Sequence, residues 1–295
     1  MSSLPHILVT GANGQLGKEL RAIATSFPDF EFVFLSREDL PIHHFPLVRN
    51  FFHTLKPAYC INAAAYTAVD RAEQEKELAF QVNAEAVGVL AEVCREYSTH
   101  FIHISTDYVF NGKGSRPYLP DDPTDPQSVY GASKQKGEEL ALENNPDSII
   151  LRTSWVYSEF GKNFVKTMIQ LMKERESISV VSDQIGSPTY AADLAEAMLT
   201  IIRQTETNKT NWHPGIYHFS NEGVLSWYDF AVAIRDQIGS TCKVQPIPTS
   251  AYPTPAARPA YSVLDKTSFV KGFGISLKPW NLSLKHCLDK LTANS

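Results

Sequence analysis

Short apolar runs alternate with longer amphipathic stretches over the first half of the chain, the pattern of a parallel sheet covered by helices. HILVT at 6–10 predicts a strand, 15–25 a helix, EFVFL at 31–35 a second strand, 47–55 a second crossover, and AYCINAAA a strand running out near residue 62. From Arg71 to Tyr97 the apolar positions Ala72, Ala79, Val82, Ala86, Val89, Leu90 and Val93 keep helical spacing. That stretch is long for a globular helix, so a kink or break is expected near Asn83. HFIHIS then predicts a strand, 129–143 a helix and SIILRT at 148–153 a further strand. Right-handed crossovers bring the strand ends at 10–17, 62–66, 105–107 and 153–157 to one edge of the sheet. Open α/β sheets take their ligands at that edge.

The second half is less regular. Helices are expected at 163–174, 190–203, 226–238 and 281–291, and short strands at 178–181, 216–219 and 243–247. IPTSAYPTPAARP at 247–259 follows neither period and holds four prolines. It reads either as a linker or, because it carries Tyr252 and Arg258 in a stiffened frame, as one wall of a cleft. The expected division is a dinucleotide-binding domain of residues 1–154 with about 190–215, and a smaller discontinuous lobe of about 155–189 with 216–295 that binds substrate.

Composition narrows the function. A net charge of −5 supplies no field for gripping a polyanion, so nucleic acid is not an expected partner. No apolar run is long enough to cross a bilayer and no signal segment opens the chain, so neither membrane nor export is expected and the compartment should be the cytoplasm. Cys60, Cys94, Cys242 and Cys287 stand far apart, without metal-site spacing, and Cys60 and Cys94 read as buried small hydrophobes. The nine histidines are scattered; His100 and His103 suit a core or sheet-face role better than metal ligation. Nucleophile-elbow, zinc-protease and phosphate-loop motifs are all missing.

ILVTGANGQLGKEL places Gly11, Gly14 and Gly17 between a strand and a helix. Such a turn lets backbone amides and a helix start face a pyrophosphate, while Gly17 lets the helix approach closely. Asn13, Gln15 and Leu16 fill the turn, Asn13 and Gln15 either bonding a ligand or facing solvent. The second strand ends at Ser36-Arg37 rather than at an acid. A guanidinium there accommodates a 2′-phosphate, which favours NADPH over NADH unless Arg37 is an ordinary surface arginine. Asn62, Ala63, Ala64, Ala65 and Tyr66 at the next strand edge are small enough for ribose or nicotinamide to lie against backbone, or for tight helix packing.

Thr106 ends an apolar strand, and Tyr130 and Lys134 lie one helical turn apart on one face. A phenol can protonate the oxygen formed when hydride reaches a carbonyl carbon, and a neighbouring ammonium is expected to bring its pKa down. Lys134 can also hold ribose hydroxyls, and Thr106 can bond the substrate oxygen. Asp107 reads as a cap or positioning group for the next loop, with direct acid–base work the lesser alternative.

These residues, with TGANGQLGKEL at 10–20, INAAAYTAVDRAE at 61–73, the Asn83-Ala84 pair, HISTDYVFNG at 103–112, VYGASKQKGE at 129–138, LRTSWVYSEFGKNFVKTM at 151–168, DQIGSPTYAADLA at 183–195 and AYPTPAARPAYSVL at 251–264, resemble the extended short-chain dehydrogenase/reductase family. The resemblance runs nearly end to end and is strongest to that family's dTDP-sugar reductases. It implies a Rossmann-type α/β fold, a catalytic set of Thr106, Tyr130 and Lys134, and hydride transfer from NAD(P)H to the 4-keto carbon of dTDP-6-deoxy-L-lyxo-4-hexulose, giving dTDP-L-rhamnose. Trp155 would face the sugar, although a buried core indole is the competing view. Asn163, Phe164 and Lys166 would lie near the nucleotide-sugar phosphates, and Tyr252 and Arg258 would form the second wall, Arg258 serving the diphosphate with its forked donors. Relatives include homodimers with Mg2+ between subunits, but no carboxylate cluster here calls for the ion. The 4,6-dehydratases carry Asp-Glu after the threonine where this chain has Asp107-Tyr108, which favours plain reduction; epimerases do not usually combine the SWVY and YPTPAARP blocks. A regulatory subunit like methionine adenosyltransferase beta is the non-catalytic alternative.

Overall fold

The computed structural model describes residues 4–293. The first half forms β1 (His6–Thr10), α1 (Gln15–Ile23), β2 (Glu31–Leu35), α2 (Phe45–Leu55), β3 (Tyr59–Asn62), α3 (Val69–Ala72), α4 (Lys76–Phe80), α5 (Ala86–Glu96), β4 (His100–Thr106), α6 (Val129–Asn144) and β5 (Ile149–Thr153). The second half adds β6 (Val156–Tyr157), α7 (Phe164–Glu174), β7 (Ser177–Val181), β8 (Ile185–Gly186), β9 (Thr189–Tyr190), α8 (Ala191–Thr207) and β10 (Gly215–Phe219). It closes with β11 (Leu225–Ser226), α9 (Trp227–Gln237), β12 (Lys243–Ile247), α10 (Thr267–Phe273) and α11 (Trp280–Ala293).

Six strands form one parallel sheet in the order β10-β5-β4-β3-β1-β2, so the fold is the expected Rossmann-like α/β sheet. Ile7, Val9, Ile61, Ile102 and Leu151 turn one face toward α1, α8 and α10, meeting Leu20, Leu194, Met198 and Phe269. The alternate residues Leu8, Cys60, Phe101 and Ile150 meet α2, α5 and α6 on the other face. Cys60 and Cys94 are buried free thiols, as their sequence context implied. Strand order reverses between β1 and β3, which leaves a crevice at their C-terminal ends. Residues 216–219, assigned from sequence to the second lobe, belong to the sixth strand of this sheet. A second apolar cluster gathers α7, α9, α11 and the parallel β7–β12 pair around Val165, Phe230, Ile234 and Leu284.

The stretch from Arg71 to Tyr97 is broken, as its length suggested. Between α4 and α5 the chain takes one wide π turn, Gln81–Glu85, with Asn83 at its centre. Asn83 Oδ1 accepts from Tyr66 N at 2.8 Å, and its Nδ2 donates to Tyr66 O and to Ser133 Oγ, both at 3.0 Å. One side chain thereby ties the loop after β3 to α6. Single π turns are often found at functional sites. A short helix over 267–273, not expected from sequence, packs Phe269 and Phe273 beneath the sheet.

Candidate active site

A cleft of about 730 Å3 follows the C-terminal ends of β1, β3, β4 and β5. At one end is the glycine turn. Gly11 is left-handed at φ 69°, and a β-carbon there would come within 2.6 Å of the Ala63–Ala64 backbone. Gly17 is not part of the cleft lining; a β-carbon there would meet Gly11 O at 2.5 Å, so its role is to let α1 close onto the turn. Gly14 caps α1 with no side-chain acceptor for the first-turn amides. Asn13, Gly14, Gln15 and Leu16 line the cleft, and Gln15 Oε1 accepts from Asn163 Nδ2 at 2.9 Å. Open amides at a helix start beside a glycine turn are what a dinucleotide pyrophosphate needs, so this end fits NAD(P)H.

Past β2, Ser36 is buried and its N–H donates to Asp39 Oδ2 at 2.9 Å, so the nearby acid is turned back on its own loop. Arg37 is exposed on the cleft wall. Asn62, Ala63, Ala64, Ala65 and Tyr66 follow on the opposite side. Asn62 itself is fully buried and bonded to Thr10 and His103.

Thr106, Tyr130 and Lys134 all line the cleft. Ser128 starts α6 by accepting from Gly131 N at 3.1 Å, which sets Tyr130 in the first turn and Lys134 one turn on. Thr106 Oγ1 donates to Asp107 Oδ1 at 2.9 Å and accepts from Tyr108 N at 3.2 Å. Asp107 therefore anchors Thr106 and the following turn; burial pushes its carboxyl up to about 6. Tyr130 is half-buried and meets the Tyr108 ring edge-on, with centroids 5.5 Å apart.

The expected lowering of the Tyr130 phenol is not found. Burial pushes it up to about 12, offset only in part by the Thr106 hydroxyl. Lys134 points past it, donating to Ile104 O at 2.6 Å with His103 Nε2 3.1 Å from Nζ. Burial brings Lys134 down to about 8. His103 is buried as expected for a sheet residue, yet it also reaches Lys134, a contact that strand periodicity alone does not reveal.

On the second-lobe side, Trp155 lines the cleft in a left-handed conformation, φ 49°, and stacks on Trp227 at 3.6 Å between centroids. Such a conformation costs a non-glycine residue about 1–2 kcal/mol. Asn163, Phe164 and Lys166 are not among the lining residues. Asn163 caps α7, Phe164 packs against Trp227 and Phe230, and Lys166 Nζ donates to Glu159 O at 3.0 Å. Their neighbours Gly161 and Lys162 do line the cleft, and the exposed Lys162 adds a cation that sequence reasoning passed over in the same segment. Tyr252 is exposed away from the lining, and Arg258 gives its fork to Asp70 Oδ2 at 2.7 Å and Ala256 O at 3.2 Å. Tyr108 is a further lining residue not singled out from sequence.

The RmlD substrate binding domain family matches residues 5–293. A dTDP-4-dehydrorhamnose reductase of Aggregatibacter actinomycetemcomitans is 43% identical over 289 residues, 96% of this chain and 98% of that protein. Among solved structures, a dTDP-4-dehydrorhamnose reductase from Bacillus anthracis in complex with NADP superposes with a TM-score of 0.91 at 37% identity, covering 98% of this chain and 100% of the other. A Clostridium acetobutylicum dTDP-4-dehydrorhamnose reductase gives 0.90 at 39%, covering 97% and 99%.

Proposed function

Because this chain belongs to the RmlD substrate binding domain family, we propose that it reduces the 4-keto group of dTDP-4-dehydro-L-rhamnose with NAD(P)H to give dTDP-L-rhamnose. The observation that carries the reading is that Thr106, Tyr130 and Lys134 line the same cleft as the open glycine turn. A dihydronicotinamide bound there would supply the hydride for the keto carbon. Gly11, Asn13, Gly14, Gln15, Leu16 and Gly17 form the pyrophosphate turn, and Asn62 to Tyr66 the wall for ribose and nicotinamide. Thr106 and Tyr130 orient the keto oxygen, and Tyr130 donates its phenolic proton to the alkoxide as charge develops there. A phenol raised by burial stays protonated throughout the neutral range, so it is in the donating form at the start of each cycle.

Lys134 holds ribose hydroxyls and returns a proton to the phenolate. Arg37, exposed on the cleft wall beside a turned-away Asp39, supports a preference for the 2′-phosphate of NADPH. Trp155 shapes the sugar site, and Lys162 adds positive charge for a diphosphate. Arg258 would join it only by leaving Asp70.

The test is oxidation of NADPH and NADH by the full chain, followed by nicotinamide absorbance, with dTDP-4-keto-6-deoxy sugar and a 3,5-epimerase present and the product identified by NMR. Appearance of dTDP-L-rhamnose supports the reading. Cofactor binding without oxidation would overturn it in favour of a non-catalytic role.

A further inference from the structure

Thr10, Asn62 and His103 stand opposite one another on three neighbouring strands. All three are fully buried, and Lys134 beyond them is 2% exposed. Their side chains form a continuous polar rung beneath the cleft. Thr10 Oγ1 donates to Asn62 Oδ1 at 2.6 Å, Asn62 Nδ2 lies 3.0 Å from His103 Nδ1, and His103 Nε2 lies 3.1 Å from Lys134 Nζ.

The direction of each bond follows from one atom whose role is fixed. The Ala64 backbone N–H can only donate, and it meets Asn62 Oδ1 at 3.2 Å. The other side-chain atom of Asn62 is therefore its NH2, also a donor only, and it faces His103. His103 Nδ1 must accept. Burial holds the imidazole neutral, its pKa well below the usual value, so its single proton sits on Nε2 and points at Lys134 Nζ.

We propose that His103 is a positioning residue for Lys134, whose Nε2–H meets the lone pair left when Lys134 gives up a proton and so favours that transfer. A donor aimed at the uncharged form lowers proton affinity. Burial of Lys134 acts in the same direction. The proton leaves Nζ for the Tyr130 phenolate after each reduction, and Nζ regains one from solvent in the cleft before the next; His103 keeps its own proton throughout. Glu138 stands one turn on along α6 and Tyr130 one turn back, while Asp107 lines the same cleft past the end of β4. Glu138 opposes the lowering but is itself paired with Arg152 of β5 at 2.6 Å. Because Thr10 immediately precedes Gly11, the rung also joins the cofactor turn to the catalytic lysine. The proposal rests on the reductase reading for the role of Lys134 in turnover.

The first arm of the test is 15N NMR of the full chain labelled at histidine and asparagine, with the His103 signal assigned by its coupling across the hydrogen bond to Asn62. A neutral ring with Nδ1 unprotonated and the proton on Nε2 is expected; the opposite tautomer, or an imidazolium, would overturn the proposal. The second arm is the pH dependence of kcat. In His103→Leu the alkaline limb should move up by about one pH unit, ~10-fold in proton affinity. His103→Gln, whose amide supplies a donor in the same place, should return it toward wild type. An unmoved limb, or one that moves down, would sink the idea. The NMR arm needs no turnover, so an inactive protein with the expected tautomer would count against the reductase reading and not against the rung.

Discussion

Tyr130→Phe removes a single oxygen and leaves the edge-on contact with Tyr108 in place. The variant should fold and bind cofactor as wild type does, while kcat falls by about 10²–10⁴, the usual worth of a positioned proton donor. Steady-state kinetics beside a cofactor titration checks this, and wild-type kcat would remove Tyr130 from its role. Lys134→Met should weaken cofactor binding and turnover together, since one ammonium serves ribose and phenol. Arg37→Ala should raise the Kd for NADPH several-fold and leave that for NADH nearly unchanged; equal changes would make Arg37 an ordinary surface residue. That these three side chains line one cleft was legible from their spacing and their strand-end placement. The electrostatics was not, because the sign of the Tyr130 shift depends on burial and on where Lys134 points, and neither is written in an i,i+4 pattern.

At the scale of elements, Asn83 joins two segments that sequence places far apart. Asn83→Ala would leave the half-buried Tyr66 N–H and C=O without their side-chain partner and would remove one of the two bonds of the buried Ser133 hydroxyl. A loss of about 2–4 kcal/mol is expected from denaturant unfolding, with weaker cofactor binding because the loop after β3 loosens against α6. A variant as stable as wild type would show that the π turn holds itself. The alternation of apolar runs in the first half made the strands readable, because central parallel strands are buried on both faces and stand out as continuous hydrophobic stretches. The break at Asn83 was readable from helix length. The second lobe was less so: β6, β8, β9 and β11 are two residues each, too short to carry a period, and Asn163, Phe164 and Lys166 serve a helix cap, a core and a backbone carbonyl in a segment that also presents Lys162 to the cleft.

Across the whole molecule, α1 of the sheet and α11 of the second cluster each reach one member of a buried carboxylate pair. Glu19 of α1 accepts from Ser158 Oγ at 2.6 Å, and Glu159 accepts from Tyr190 at 2.9 Å and from Lys290 of α11 at 2.9 Å. Burial, reinforced by Glu159, raises Glu19 to about 8 from its ordinary 4.5. Below about pH 4.5 the carboxyl is protonated folded and unfolded alike. Between about 4.5 and 8 the folded chain keeps a proton that the unfolded chain releases, so this group makes stability fall as pH rises. Glu19→Gln, which mimics the protonated acid, should flatten that fall and raise Tm most at pH 8; parallel Tm curves for variant and wild type would contradict it. The stack of Trp155 on Trp227, planes 11° apart, has an optical consequence. Two indoles that close couple their excited states, so the chain should carry an exciton signature in its ultraviolet circular dichroism. One partner of that chromophore pair lines the cleft, so a sugar nucleotide arriving there would be visible without any label.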